Sequence, residues 1–266
     1  MASGKISVDT MRLVDYWAGV PLCAVSTLVK AVVGRPSPGT PRKVLLVELS
    51  EMGSAILVDP MMRALERRGL ELHFAIFAQN KASLDLLKTV PEDNIFKLRA
   101  DSLATVAVDT LRFLRWTRAK GIDTVIDLEM FSRYSALLSG WSGAGNVVGF
   151  HRFHNEGLYR GSMLTHRVPF NPHIHVLRNF FSMLHALDAG PGDYLPAAAR
   201  TPPQDMELAR ADIPAAAIAA VADKVAQAAG WDGTGPLVLL NANASDLLPQ
   251  RRWPRERFAA LARKVL

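Results

Sequence analysis

Apolar residues fall along this chain in two rhythms. Short apolar runs closed off by turn residues read as buried strands at residues 43–49, 71–77, 94–98, 124–127, 146–149 and 165–168. Between them the apolar positions space out as they do on a helix face. Residues 54–68 carry Ile56, Leu57, Met61 and Leu65, and further helices are predicted over 81–88, 102–120, 132–142 and about 173–187. Ser102 is placed to cap the longest of these. Strands that alternate with helices imply a parallel sheet with helices on both faces.

The segments outside this alternation set the domain plan. Residues 11–33 are mostly apolar, but Asp15, Pro21 and Lys30 interrupt them, and a membrane-crossing helix needs about 20 apolar residues. The pattern fits a pair of interfacial helices with Tyr16 and Trp17 at headgroup level, or helices packed on the body of the protein. Residues 35–41, rich in proline, form a stiff linker, and 188–204, rich in Pro, Gly and Ala, form a second one. Beyond it come an Ala-rich helix over 205–229 broken near Pro214, an apolar strand at 236–240, and a helix that opens at Trp253-Pro254 and still runs at Leu266. The plan is therefore an arm at 1–41, a Rossmann-like domain at 42–187, a linker, and at 205–266 the start of a second Rossmann-like domain that is incomplete.

Charge narrows the partners. A formal net charge of +6 favours anionic ones, but the basic residues are spread out, with no dense tract or aromatic-interleaved patch, so nucleic acid is not expected. The single cysteine, Cys23, excludes an intrachain disulfide and a cysteine metal cluster and fits a reducing cytoplasm. No zinc-spaced motif is present, His151 and His154 lack a carboxylate at a diagnostic spacing, and no metal is expected.

Two loops carry candidate chemistry. In open α/β sheets ligands bind beyond the carboxyl ends of the strands. The first such loop, Glu48-Leu-Ser-Glu-Met-Gly-Ser54, has one glycine, so it is neither a dinucleotide fingerprint nor a P-loop. Gly53 permits a close backbone approach or a positive φ, and Glu48 or Glu51 could take a proton from a hydroxyl. The second loop, 241–253, follows the apolar strand and precedes the last helix. Asn243, Ser245 and the adjacent Arg251 and Arg252 make it a candidate diphosphate cradle at a helix start. A third, Phe150–Gly161 in extent, is dense in polar and aromatic residues and reads as an acceptor-side loop, with His151, Arg152 and Arg160 facing phosphate or carboxylate.

These pieces, in order, resemble the family 9 glycosyltransferases, the lipopolysaccharide heptosyltransferase group. The matching segments are Lys43-Val-Leu-Leu-Val-Glu-Leu-Ser-Glu-Met-Gly-Ser-Ala-Ile-Leu-Val-Asp-Pro60, Asp123-Thr-Val-Ile-Asp-Leu-Glu129, Val147-Val-Gly-Phe150 and Arg251-Arg-Trp-Pro-Arg-Glu-Arg-Phe258. The resemblance implies a GT-B fold, with an acceptor domain first and a nucleotide-sugar domain second. It implies inverting transfer of a sugar, heptose in the best-known members and carried on ADP, to a lipid-linked or core saccharide of the cell envelope. It implies no metal or resident cofactor, and a cytoplasmic enzyme peripheral on the inner face of the membrane.

Where the family has its catalytic aspartate, directly after the loop glycine, this chain has Ser54. A serine without an activator cannot act as the base at neutral pH. Three readings stay open: Glu51 takes the role, Glu129 at the end of the fourth strand reaches the same cleft, or the protein binds without catalysing. Arg251 or Arg252 stands for the family's donor-phosphate lysine, able to stabilise charge on the departing diphosphate.

Overall fold

The computed structural model describes residues 8–153, 159–194, 206–232, 234, 236–241 and 252–265. The chain divides into two compact units, Met1–Ala211 and Asp212–Leu266.

The first unit begins with α1 (Val8–Trp17) and α2 (Gly19–Val33). They are one bent helix rather than a separate pair. Ala18 keeps helical dihedrals, and the bonds Ala18 N to Val14 O (2.9 Å) and Leu22 N to Ala18 O (3.1 Å) run across the junction. Pro21 has no N–H to give the Trp17 carbonyl, and this accounts for the break.

Strand β1 (Lys43–Val47) follows, then α3 (Met52–Leu57), α4 (Asp59–Arg67), β2 (Glu71–Phe77), α5 (Ala82–Leu87), β3 (Ile95–Leu98) and α6 (Leu103–Lys120). After these come β4 (Thr124–Asp127), α7 (Arg133–Trp141), β5 (Asn146–Phe153), β6 (His166–Phe170), α8 (Val176–Ala189) and the two-residue β7 (Gly192–Asp193). The single helix expected over 54–68 is divided at Val58, two residues before Pro60, for the same reason as the bend in the arm. Ser102 and Ser132 cap α6 and α7, each accepting a backbone N–H three residues on at 3.1 Å.

All seven strands pair in parallel in the order β3-β2-β1-β4-β5-β6-β7. Alternation along β1 splits the core. Val44 and Leu46 face one layer with Met61, Leu65, Phe74 and Phe180, while Leu45 and Val47 face the other with Phe113, Val125 and Leu138. Both faces of the sheet are thus covered, as a purely parallel sheet requires.

The second unit holds α9 (Ala215–Ala229) and α10 (Arg255–Val265). The helix expected from 205 starts only after Pro214, whose carbonyl accepts the Ala217 and Ile218 N–H groups. Pro254 lies just before α10 and accepts from Arg257 and Phe258, while Trp253 packs edge-on against Phe258 at 5.0 Å. That contact is the hydrophobic staple of a helix start. The strand expected at 236–240 does not form, and Leu237, Val238, Leu239 and Leu240 are exposed. A strand persists only with a hydrogen-bonded neighbour, and among the described residues of this unit none pairs with it.

Candidate functional site

The strand order reverses direction between β1 and β4. The chain leaves β1 toward β2 and β3, then returns to β4 on the other side. The helices after these two strands pack on opposite faces of the sheet, so the carboxyl edge here is the topological switch point, the usual ligand position in such sheets.

The β1 loop is held from both sides. Glu129, two residues past β4, accepts three hydrogen bonds on one oxygen: Leu49 N (2.9 Å), Ser50 N (2.9 Å) and Ser50 Oγ (2.8 Å). From the β2 side, Asn80 Nδ2 donates to Leu49 O (2.9 Å) and Ser50 O (3.1 Å). The peptide groups that turn the chain out of the sheet are therefore satisfied largely by side chains, with one backbone bond, Phe77 N to Leu49 O at 3.3 Å, continuing the ladder. Glu129 is buried, and its Oε1 is committed to this brace, so it does not stand open as a base would.

Glu51 does stand open. It is exposed, precedes α3, and its Oε2 accepts from Ser54 Oγ at 2.9 Å. The hydroxyl at the position of the family's aspartate thus steadies a carboxylate one helical turn earlier. Gly53 lies in α3 without a positive φ, and a Cβ there would meet nothing within 4 Å, so the space beside Gly53 is open.

Glu48 is a different case. It is 3% exposed, and burial, the charge of Glu129, and a smaller contribution from Glu51 push its pKa up to about 10. It is a neutral acid at pH 7, hydrogen-bonded to Glu129 and accepting Glu51 N at 3.2 Å. It cannot serve as the proton acceptor that its place in the sequence suggested.

Arg160 also differs from expectation. It is not presented to an acceptor; it lies inside, paired with the fully buried Asp127. Its other donors go to Ser135 Oγ (2.9 Å), Ser132 O (2.9 Å) and Phe150 O (3.4 Å). A carboxylate removed from water needs a cation with its donors satisfied, and Asp127 claims this one. Burial raises the Asp127 pKa to about 6, against the opposing pull of Arg160.

His151 and Arg152 lie on β5, which runs four residues further than its apolar run predicts. The Arg152 side chain is outside the described part, as are His154, Asn243, Ser245 and Arg251. Arg252 is exposed directly ahead of α10, in the second unit. Among the described residues no group of three or more His, Cys, Asp or Glu has an arrangement that could hold a metal.

Glu51 and Ser54 lie on the β1 side, and Glu129 reaches the β1 loop from beyond β4 as its brace. The sequence alone gives no role to Asn80, three residues past β2, or to Asp127, the polar last residue of β4.

No family model matches the chain, and no curated protein does. Solved structures do. A family 9 glycosyl transferase from Veillonella parvula DSM 2008 superposes with a TM-score of 0.60 at 17% identity, over 86% of this chain and 61% of that one. The ADP-heptose LPS heptosyltransferase II of E. coli superposes with a TM-score of 0.56 at 16% identity, over 84% of this chain and 61% of that one. The chain is thus α/β with the fold of these glycosyltransferases, and it spans about six-tenths of their length.

Proposed function

We propose that this chain carries the acceptor side, and the beginning of the donor side, of an inverting glycosyltransferase that needs no metal. The observation that carries the reading is Glu51: an exposed carboxylate, steadied by Ser54, on a loop braced from two strands at the switch point of the sheet. A base held in one place can take the proton of an acceptor hydroxyl as its oxygen attacks the anomeric carbon. The bond from that carbon to the diphosphate breaks, and the nucleoside diphosphate leaves with the electron pair. Arg251 and Arg252 are assigned to its negative charge, where the transition state gains most from a cation. A lipid-linked or core saccharide of the cell envelope is the acceptor in this reading, and the cytoplasmic face of the membrane is where the two substrates meet.

The first donor to try is ADP-heptose, which the name of the E. coli neighbour supplies. The test is the complete enzyme with Glu51→Gln beside it. Turnover, read as nucleoside diphosphate release that depends on acceptor, should fall about a hundredfold or more with little change in KM. Full activity in Glu51→Gln would remove Glu51 from the reaction.

The second reading, a non-catalytic binding protein on the same fold, rests on Ser54 standing where the family has its aspartate. It predicts nucleotide-sugar binding without acceptor-dependent release.

A further inference from the structure

Glu51 is held at both of its ends. Glu48, one residue past β1, still belongs to the ladder: its N–H donates to Ala75 O of β2 at 3.2 Å. Glu51 has left the sheet, with an extended backbone (φ −117°, ψ 110°) directly before α3. One bond joins the two, from Glu51 N to Glu48 Oε1 at 3.2 Å. At the other end of the residue Ser54 Oγ donates to Glu51 Oε2 at 2.9 Å.

This departs from an ordinary helix start. In a capping box the residue before the helix accepts a first-turn N–H on its side chain, and the third helical residue reaches back to the N–H of the cap. Glu51 makes no side-chain cap. Ser54, the third residue of α3, gives its hydroxyl to the Glu51 carboxylate, and the Glu51 N–H goes to Glu48 instead. The carboxylate is thereby kept off the backbone of its own helix. Glu48 suits the task because it is a neutral acid, kept so first by burial and then by the charge of Glu129. Its Oε1 faces a donor, so the acid proton sits on the other oxygen and is given to Glu129. Two carboxyl groups that share a proton can lie side by side without repulsion. Glu129 also holds Leu49 N and Ser50 N, each at 2.9 Å. The charges that act on Glu48 are those of Glu129 and Glu51, and Asp127 beyond Glu129 is matched by Arg160.

We propose that Glu48 is a positioning residue: through its bond to Glu51 N and its pairing with Glu129 it fixes the point from which the Glu51 carboxylate reaches the acceptor hydroxyl, a role that rests on the transferase reading. Glu48 touches no substrate in this role. It transmits the rigidity of the sheet to the first residue outside it, and a small displacement of a catalytic group is costly to the rate.

The test compares Glu48→Leu and Glu48→Gln in the complete enzyme, with Glu51→Gln beside them. Leucine fills the space but offers Glu51 N no acceptor. Glutamine keeps both bonds, since its carbonyl oxygen can face Glu51 N and its amide can donate to Glu129. Glu48→Leu should lower kcat about tenfold with KM unchanged, and Glu48→Gln should stay within about twofold of the unaltered enzyme. The Glu51 amide proton resonance at pH 7 should move upfield in Glu48→Leu and hold its place in Glu48→Gln, a readout that needs no transfer. A normal kcat in Glu48→Leu beside a slow Glu51→Gln would overturn the positioning role and leave the transferase reading standing. Full activity in both would remove Glu51 as the base, and the positioning role with it. A Glu48→Gln as slow as Glu48→Leu would also overturn the proposal, because the bonds that glutamine preserves would then not be what aims Glu51.

Discussion

At both edges of the sheet a carboxylate from the β4 region ties β1 to its neighbour, and the two ties leave opposite electrostatic situations. At the amino edge, Asp123 accepts from Arg42 N and Lys43 N, each at 3.1 Å, and from Thr124 Oγ1 at 2.8 Å, and the tie is complete. At the carboxyl edge, Glu129 makes the equivalent tie, but Glu48, Glu51 and Asp127 crowd beside it, and Arg160 answers to Asp127. The first arrangement costs little to bury and does nothing further. The second keeps a proton on Glu48 and leaves Glu51 facing solvent. A concentration of like charge of this kind is what the proposed proton acceptor at Glu51 would need beside it.

Four substitutions would break or sharpen this contrast. The largest effect is expected for Asp127→Ala, which strands Arg160 without its partner inside the protein. It should cost about 3–5 kcal/mol of stability in urea denaturation. Glu51→Gln comes next: about a hundredfold in turnover, equivalent to roughly 2.7 kcal/mol of barrier, with an unchanged denaturation midpoint. Asp123→Ala should show the reverse pattern, losing about 1–2 kcal/mol of stability through unpaired backbone N–H groups while turnover per folded molecule stays the same.

The smallest effect is one of slope. Glu48 holds its proton in the folded chain up to about pH 10, whereas the unfolded chain releases it near 4.5. Between those values folding takes up a proton, so this group's contribution is complete below about pH 4.5 and is lost as pH rises toward 10. Denaturation at pH 5, 7 and 9 isolates this contribution as the difference between the unaltered chain and Glu48→Gln, and relative to that variant the unaltered chain should lose stability as pH rises. Glu48→Gln, which keeps the shape and cannot ionise, serves as that reference.

Much of the fold was legible because a buried parallel sheet writes itself as apolar runs: β2 spans the residues that its run predicts, and the caps Ser102 and Ser132 mark where α6 and α7 begin. The loop of Glu51 could be placed because a strand's carboxyl end is a local property. What could not be read is pairing over distance. Arg160 is 33 residues from Asp127, and from sequence alone a basic residue on a polar loop looks like a ligand group. That Glu48 carries a proton depends first on its burial and then on Glu129 lying beside it, and both follow from the β1–β4 register and not from either segment. Residues 236–240 show the converse: the pattern of a strand is present, but a strand is a property of a pair.

The double brace on the β1 loop has a consequence for motion. Leu49 and Ser50 lie outside the strand, yet their amides donate to a buried carboxylate and their carbonyls accept from Asn80. Local fluctuation therefore cannot open them one at a time. Their exchange with deuterated solvent should be slower than that of the neighbouring unbraced loop amides, since both open only when Glu129 lets go.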